Sequence, residues 1–456
     1  MYFCQNLYMK KSIFCGLSTL LIGSTHAQPS DSTKHLKPYS LHFQNTIVNQ
    51  YKPPFTTPYT GPNSLMPQEE NRISVTSTLY AGFKLWKNTE LYLNPELAGG
   101  EGLSQTLGLA GATNGETFRV GDPKPAIYLA RLFYQQIIPI HADNHKKINT
   151  DIDHLKNDDF NQIERFLPDK YINIILGKVS VADYFDDNSF SHDPRSEFLN
   201  WALMESAAWD YPANTRGYTP SLIIEFFSTH YECRAGLSML PTTANGNEMN
   251  TDILKAHSLT LENVWHYQFT EKPGSIRLLA FYSTANMGNY EQALFTTHTR
   301  PPDIIQTRQY GRNKYGFALN IEQFFNSKSG GFIKISWNDG HNETWAFTEI
   351  DQALSAGVSI HSLIPHAEDN LGIAYALNGI SKQHREYLKQ GGMGFMLGDG
   401  QLNYAPENIL ETYYKIALKK QKIYLTLDYQ FILNPGYNKD RQGPVHIFSV
   451  RTHIRI

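Results

Sequence analysis

The sequence predicts an all-β protein, a transmembrane antiparallel β-barrel of about sixteen strands with short periplasmic turns and long extracellular loops. Three observations carry this expectation. In KIYLTLDYQFILNP (Lys422–Pro435), Ile423, Leu425, Leu427, Tyr429, Phe431 and Leu433 share one parity, and Tyr424, Thr426, Asp428 and Gln430 share the other. That is the period-two pattern of a strand with unlike faces. Aromatic residues make up 13% of the chain, yet mean hydropathy is −0.41, as expected where each lipid-facing residue has a polar neighbour facing a lumen. Finally, long and short connections succeed one another, as on the two rims of a barrel.

Taken in order, SLHFQNTIVNQ opens the series and leads into a long Pro/Gly/Asn-rich loop. ISVTSTLYAGFKLW and ELYLNPEL flank a tight KNT turn, and a glycine-rich loop reaches AIYLARLFYQQIIPI. The next connection, His141 to Asp169, is long where the alternation asks for a short turn. KYINIILGKVSV then enters the longest loop, Ala182 to Thr219, and PSLIIEFFS and ECRAGLSML turn near His230. Three further hairpins close around EKPG, NSKSG and IPHAED. ILETYYKIAL and KIYLTLDYQFIL flank KKQ, and GPVHIFSVRTHIRI ends the series. One barrel domain is expected over residues 38–456.

Residues 1–27 read as a signal peptide. Lys10 and Lys11 precede an apolar run from Ile13 to Gly23, and Thr25-His26-Ala27 supplies small residues for cleavage after Ala27. Met9 offers a second start. Cleavage would leave Cys233 as the one cysteine, which removes an internal disulfide and a cysteine-based zinc site. It would also take the net charge from −3 to about −5, unlike a nucleic-acid binder. No later segment has the ~18 consecutive apolar residues of a spanning helix. A serine-hydrolase elbow, a phosphate-binding glycine loop, a dinucleotide fingerprint and H-E-x-x-H are all absent. No cofactor and no enzymatic activity are expected. WNDGHNETWAFTEID carries the carboxylates Asp339, Glu343, Glu349 and Asp351, and a glycosidase needs two carboxylates a fixed distance apart, but carboxylates beside aromatics on a loop are common.

Several blocks resemble a known family. NGETFRVGDPKP, FDDNSFSHDPRSEFLNWAL, AWDYPANTRGYTP, SWNDGHNETWAFTEIDQALSAG and LDYQFILNPGYNKDRQGPV look like segments of the carbohydrate-selective outer-membrane porins, the OprB-like family. The resemblance implies a sixteen-stranded barrel in a Gram-negative outer membrane that passes small saccharides passively. Its partners would be outer-membrane lipid and the barrel-assembly machinery, as a monomer or trimer. Some relatives are described as manganese or divalent-cation porins, which keeps a cation channel as the alternative. Two features depart from the family pattern: the chain ends in Ile456 rather than Phe, and VSIHSLIPHAED follows Ser355-Ala356-Gly357.

For a channel, selectivity comes from the narrowest ring and the groups lining it. Saccharides call for aromatic faces and for Arg, Asp, Glu and Asn to replace water's hydrogen bonds. The loop from Ala182 to Thr219 has this mixture, so Asp183, Asp186, Asp187, His192, Arg195, Trp201, Trp209, Asp210 and Arg216 are expected at the constriction. SEFLNWALMESAAW within it has the spacing of a short amphipathic helix. Glu96, Asp428 and Arg451 are expected on the lumen wall by parity, because a charge facing mid-bilayer lipid costs about 2–4 kcal/mol. Arg119, Arg131, Glu411 and Arg441 join them. A metal site is not expected, although His141, Asp143 and His145 form a weak imidazole–carboxylate cluster.

Overall fold

The computed structural model describes residues 36–117, 123–140, 155–156, 159–296, 301–365 and 368–456. The expected signal peptide, Arg119 and the cluster His141, Asp143 and His145 lie outside them.

Sixteen antiparallel strands close into a barrel. They are β1 (Tyr39–Lys52), β2 (Glu70–Trp86), β3 (Thr89–Gly100), β4 (Ala126–Pro139), β7 (Tyr171–Val179), β8 (Thr219–Phe227), β9 (Tyr231–Met239), β10 (His257–Phe269) and β11 (Lys272–Met287). The circuit continues with β12 (Gln309–Phe324), β13 (Ser329–Asn338), β14 (Gln352–His361), β15 (Asp369–Gly379), β16 (Glu407–Lys419), β17 (Ile423–Leu433) and β18 (Val445–Arg455). Each strand pairs with its neighbour in sequence, apart from a two-residue ladder, β5 (Leu155–Lys156) with β6 (Arg165–Phe166), set between β4 and β7. The seam is β1 on β18, in register from Gln44 opposite Arg455 to Tyr51 opposite Phe448. Beyond it Phe43 and Ile456 exchange two backbone hydrogen bonds, of 2.9 and 2.8 Å. Closure satisfies the edge groups that lipid cannot.

Connections on one rim are brief, at 87–88, 228–230, 270–271, 325–328, 362–368 and 420–422. Those on the other are long: L1 (53–69), L2 (101–117 and 123–125 among the described residues), L3 (180–218), L4 (240–256), L5 (288–296 and 301–308 among the described residues), L6 (339–351), L7 (380–406) and L8 (434–444). Only 140–170, on the short rim, breaks the pattern. No helix among the described residues is long and apolar enough to cross a membrane.

Parity assigns the faces. Leu41, Ile73, Leu261 and Leu427 point outward and are more than half exposed, forming part of the lipid belt. Phe83, Trp86, Phe269 and Phe325 ring the short-turn side, and Tyr315 and Phe317 lie against Trp337 towards the opposite rim. The inward face is not an open tube. L2, L3, L6 and L7 fold into it and build a hydrophobic core within the barrel, with Phe185, Phe198, Leu203, Trp209, Phe347 and Leu397 among its members.

Candidate functional site

L3 is held inside the barrel by inward polar groups of the wall. Asp186 accepts from Ser206 N at 2.5 Å and from Asn320 Nδ2 of β12 at 2.9 Å. Glu411 of β16 accepts from the amides of Leu199 and Asn200, and Arg451 of β18 donates to the carbonyls of Pro194 and Glu197. Lys334 of β13 donates to Ser191 O and Met204 O. Buried loop backbone needs such partners, because an unmade hydrogen bond costs about 1–3 kcal/mol. Glu411 and Arg451 therefore both face inward, Arg451 as parity expects, as parts of a scaffold beneath the loop.

Asp428 also points inward but is only 5% exposed, packed under L3 rather than lining water. Glu96 is likewise buried on the lumen side, accepting from Thr78 Oγ1 at 2.5 Å, from Tyr218 OH at 3.0 Å and from Tyr128 OH. Arg441 corrects the wall assignment: it lies in L8, where it donates to the carbonyls of Tyr59 and Leu65 and ties L8 to L1.

Between L3 and the wall of β1, β2, β4 and β7–β9 lies a cavity of about 620 Å³. Asp183, Asp187, His192, Arg195 and Arg216 line it, with Arg131 of β4. Arg131 grips Asp183 through Nε–Oδ2 and Nη2–Oδ1 contacts of 2.6 Å each, and its guanidinium lies 5.1 Å from the Tyr218 ring centre. Arg195 is 3.2 Å from Glu116, 3.8 Å from Glu96 and 3.9 Å from Asp193. Burial pushes the Glu116 carboxyl upward, and the Arg195 charge pulls it back. The Arg216 guanidinium stacks 4.2 Å from the Tyr128 ring centre.

His192 Nδ1 lies 3.2 Å from Glu205 Oε1. Burial opposes charge on the imidazole, but the Glu205 carboxylate outweighs it and holds His192 up at about 10. Burial pushes the Glu205 carboxyl up, and the neighbouring His192 pulls it back.

Four of the expected constriction residues do other work. Trp201 is buried, stacked on Phe347 at 5.2 Å, with its indole donating to Asn114 O. Trp209 is fully buried beside Phe185 and Tyr211. Asp210 accepts three amides, those of Trp345, Ala346 and Phe347, each at 2.8 Å. Asp186 is the anchor already described. The tryptophans thus pack L3 and offer no face to the cavity. The expected amphipathic helix is also smaller than its pattern suggests: α1 spans Trp201–Met204 only, and all four residues are buried.

Sequence reasoning missed the aromatic lining supplied by Tyr80, Tyr184, Tyr211 and Tyr218, and it missed Glu116. Tyr80 was visible in principle, since it shares the inward parity of Ser74, Thr76 and Thr78 in β2. Glu116 was hidden because nothing in a glycine-rich loop states which residues turn back into a lumen.

Three of the carboxylates in WNDGHNETWAFTEID hold structure in place. Glu349 accepts the amides of Met396 and Leu397 at 2.8 Å each, Glu343 pairs with Arg308 at 2.6 Å, and Asp351 is enclosed by Lys314, Ser381 and His384. No group of three His, Cys, Asp or Glu suited to a metal ion occurs among the described residues.

Comparison with solved structures places the fold. OprB of Pseudomonas putida, in a high-pH structure, matches with a TM-score of 0.67 at 15% identity over 92% of this chain and 94% of that one. DcaP of Acinetobacter baumannii (8% identity, TM-score 0.45) and OmpF of Salmonella typhi in complex with daunomycin (9%, 0.46) each align over 92% of this chain and 97% of theirs. A search of curated protein sequences returned no match. The family model described as carbohydrate-selective porin, OprB family, matches residues 63–456, and the chain belongs to that family.

Proposed function

We propose that the protein is a passive diffusion channel for small saccharides in a Gram-negative outer membrane, selective at the cavity between L3 and the wall of β1, β2, β4 and β7–β9. The observation that carries this reading is the lining itself. Guanidinium groups stand beside carboxylates, Arg131 with Asp183 and Arg195 with Glu116, next to the aromatic rings of Tyr80 and Tyr218. Paired charges of opposite sign give little net field to draw ions of one sign, while their donors and acceptors can replace the water around sugar hydroxyls. Aromatic rings suit the apolar CH faces of a pyranose. Solute would pass by exchanging one set of hydrogen bonds for another, with no covalent step and no energy coupling.

Asp183, Asp187, His192, Arg195, Arg216 and Arg131 are the residues assigned to solute contact, while Glu96, Glu411, Asp428 and Arg451 brace the loop and wall. Residues 1–27 are proposed as a signal removed on export, and the barrel-assembly machinery and lipid as the partners of maturation. Swelling of liposomes carrying the purified protein tests the reading. Uptake of mono- and disaccharides faster than in protein-free vesicles supports it, and rates equal to those of protein-free vesicles reject it.

A further inference from the structure

The connection between β4 and β7 is the one exception to the short turns of its rim. Its residues from Asp159 onward do not hang below the barrel; they enter it. Phe160 packs on Tyr80 at 4.6 Å and on His42 at 5.8 Å, with the Arg455 guanidinium 4.8 Å from its ring centre. Asn161 Oδ1 accepts from Asn94 Nδ2 at 2.7 Å, and Ile163 is fully buried. Arg165 Nη1 is 2.7 Å from Glu90 Oε2, which also accepts from Tyr92 OH at 2.6 Å. Asp159 Oδ1 is 2.7 Å from Arg455 Nη2.

His42, Tyr80, Glu90, Asn94 and Arg455 lie on the inward parity of β1, β2, β3 and β18. Four wall strands therefore grip this segment, and two of its anchors, Asn94 and Glu90, are almost fully buried. Groups so paired and buried are costly to separate, because removing one partner leaves the other charge uncompensated. The segment is a fixed part of the lumen. Moreover, Phe160, Asn161, Gln162 and Arg165 line the same cavity that L3 bounds from the opposite rim.

We propose that residues 159–167 form a second constriction at the short-turn end of the channel, with the Phe160–Tyr80 pair and Arg165 as a saccharide subsite distinct from L3. A solute then meets two narrow points built by segments from opposite rims. The subsite rests on the saccharide reading above, whereas the constriction does not, because ion current alone reports it.

The test uses the purified full-length protein in planar bilayers, first in potassium chloride and then with maltose added. Phe160→Ala should raise single-channel conductance by roughly twofold or more, and Phe160→Trp should lower it, since the narrowest ring controls the current. Both should weaken maltose block relative to wild type. A further variant replaces 141–168 with an Asn-Gly turn, the strongest two-residue hairpin signal, and should show the largest conductance. If that variant does not fold, as judged by heat-modifiable migration on a gel, the two point variants decide. Conductances equal to wild type in both would overturn the second constriction. Conductance changes with no maltose block in wild type would support the constriction and overturn the subsite together with the saccharide reading. Unchanged maltose block in variants of altered conductance would overturn the subsite alone.

Discussion

Arg131 on β4 and Asp183 at the entrance to L3 face each other through two contacts of 2.6 Å, a fork-to-carboxylate pair that joins wall to constriction loop. Such paired geometry is specific to arginine. Arg131→Ala should destabilise the barrel by about 1.5–3 kcal/mol, the range for hydrogen bonds to charged groups. Arg131→Lys should keep the charge but recover only part of that loss. The midpoint of thermal unfolding in detergent, followed by gel mobility, reads both.

Arg195 is the cation facing Glu116, Glu96 and Asp193. Arg195→Ala leaves these carboxylates without it and should turn a weakly selective lumen towards cations. The reversal potential in a potassium chloride gradient should shift in the cation-selective direction. An unchanged potential would mean that ions do not pass this cluster.

Trp201→Ala tests loop packing against solute contact. Because Trp201 is buried on Phe347 rather than facing the cavity, truncation should cost about 3–5 kcal/mol and loosen L3. Lower thermal stability with raised conductance is expected. Weakened saccharide block with wild-type stability and conductance would return Trp201 to the solute path.

Asp351 supplies a pH dependence. Burial disfavours its charge, but Lys314, His384 and the Ser381 amide overcome this and hold the carboxyl far below the usual aspartate range. A carboxyl depressed in the folded state stabilises it above about pH 3.9, the ordinary unfolded value, and that contribution is lost as pH falls towards the folded value. Asp351→Asn should therefore unfold at lower temperature than wild type at pH 7. The gap should narrow progressively below about pH 4. A gap that is constant from pH 7 to pH 2 would contradict the assignment.

The barrel was legible in the sequence because strand parity and loop alternation are local: Leu427 and Asp428 declare opposite faces without any partner being known. That L3 folds inward followed from its place in that alternation, whereas the entry of L2, L6 and L7 beside it did not. Within the loop, residue type was a poor guide. Trp201, Trp209 and Asp210 have the chemistry of a sugar path, yet Trp201 and Asp210 serve the packing of L3 on L6, a long-range contact with no local signature, and Trp209 packs within L3. Asp428 illustrates the same limit, since parity turns it inward but only the tertiary fold shows a loop covering it. The insertion at Asp159–Phe166 was signalled by a connection too long for its rim, while the direction it takes depends on Tyr80, Glu90 and Asn94 more than sixty residues earlier in the chain.

Single-channel recording of the purified protein, titrated first with mono- and disaccharides and then with manganese chloride, tests the central claim most directly. The account predicts discrete steps that saccharides block in a concentration-dependent and saturating manner, with weak ion selectivity. Steps indifferent to saccharide whose reversal potential follows manganese would contradict it and assign the channel to divalent cations.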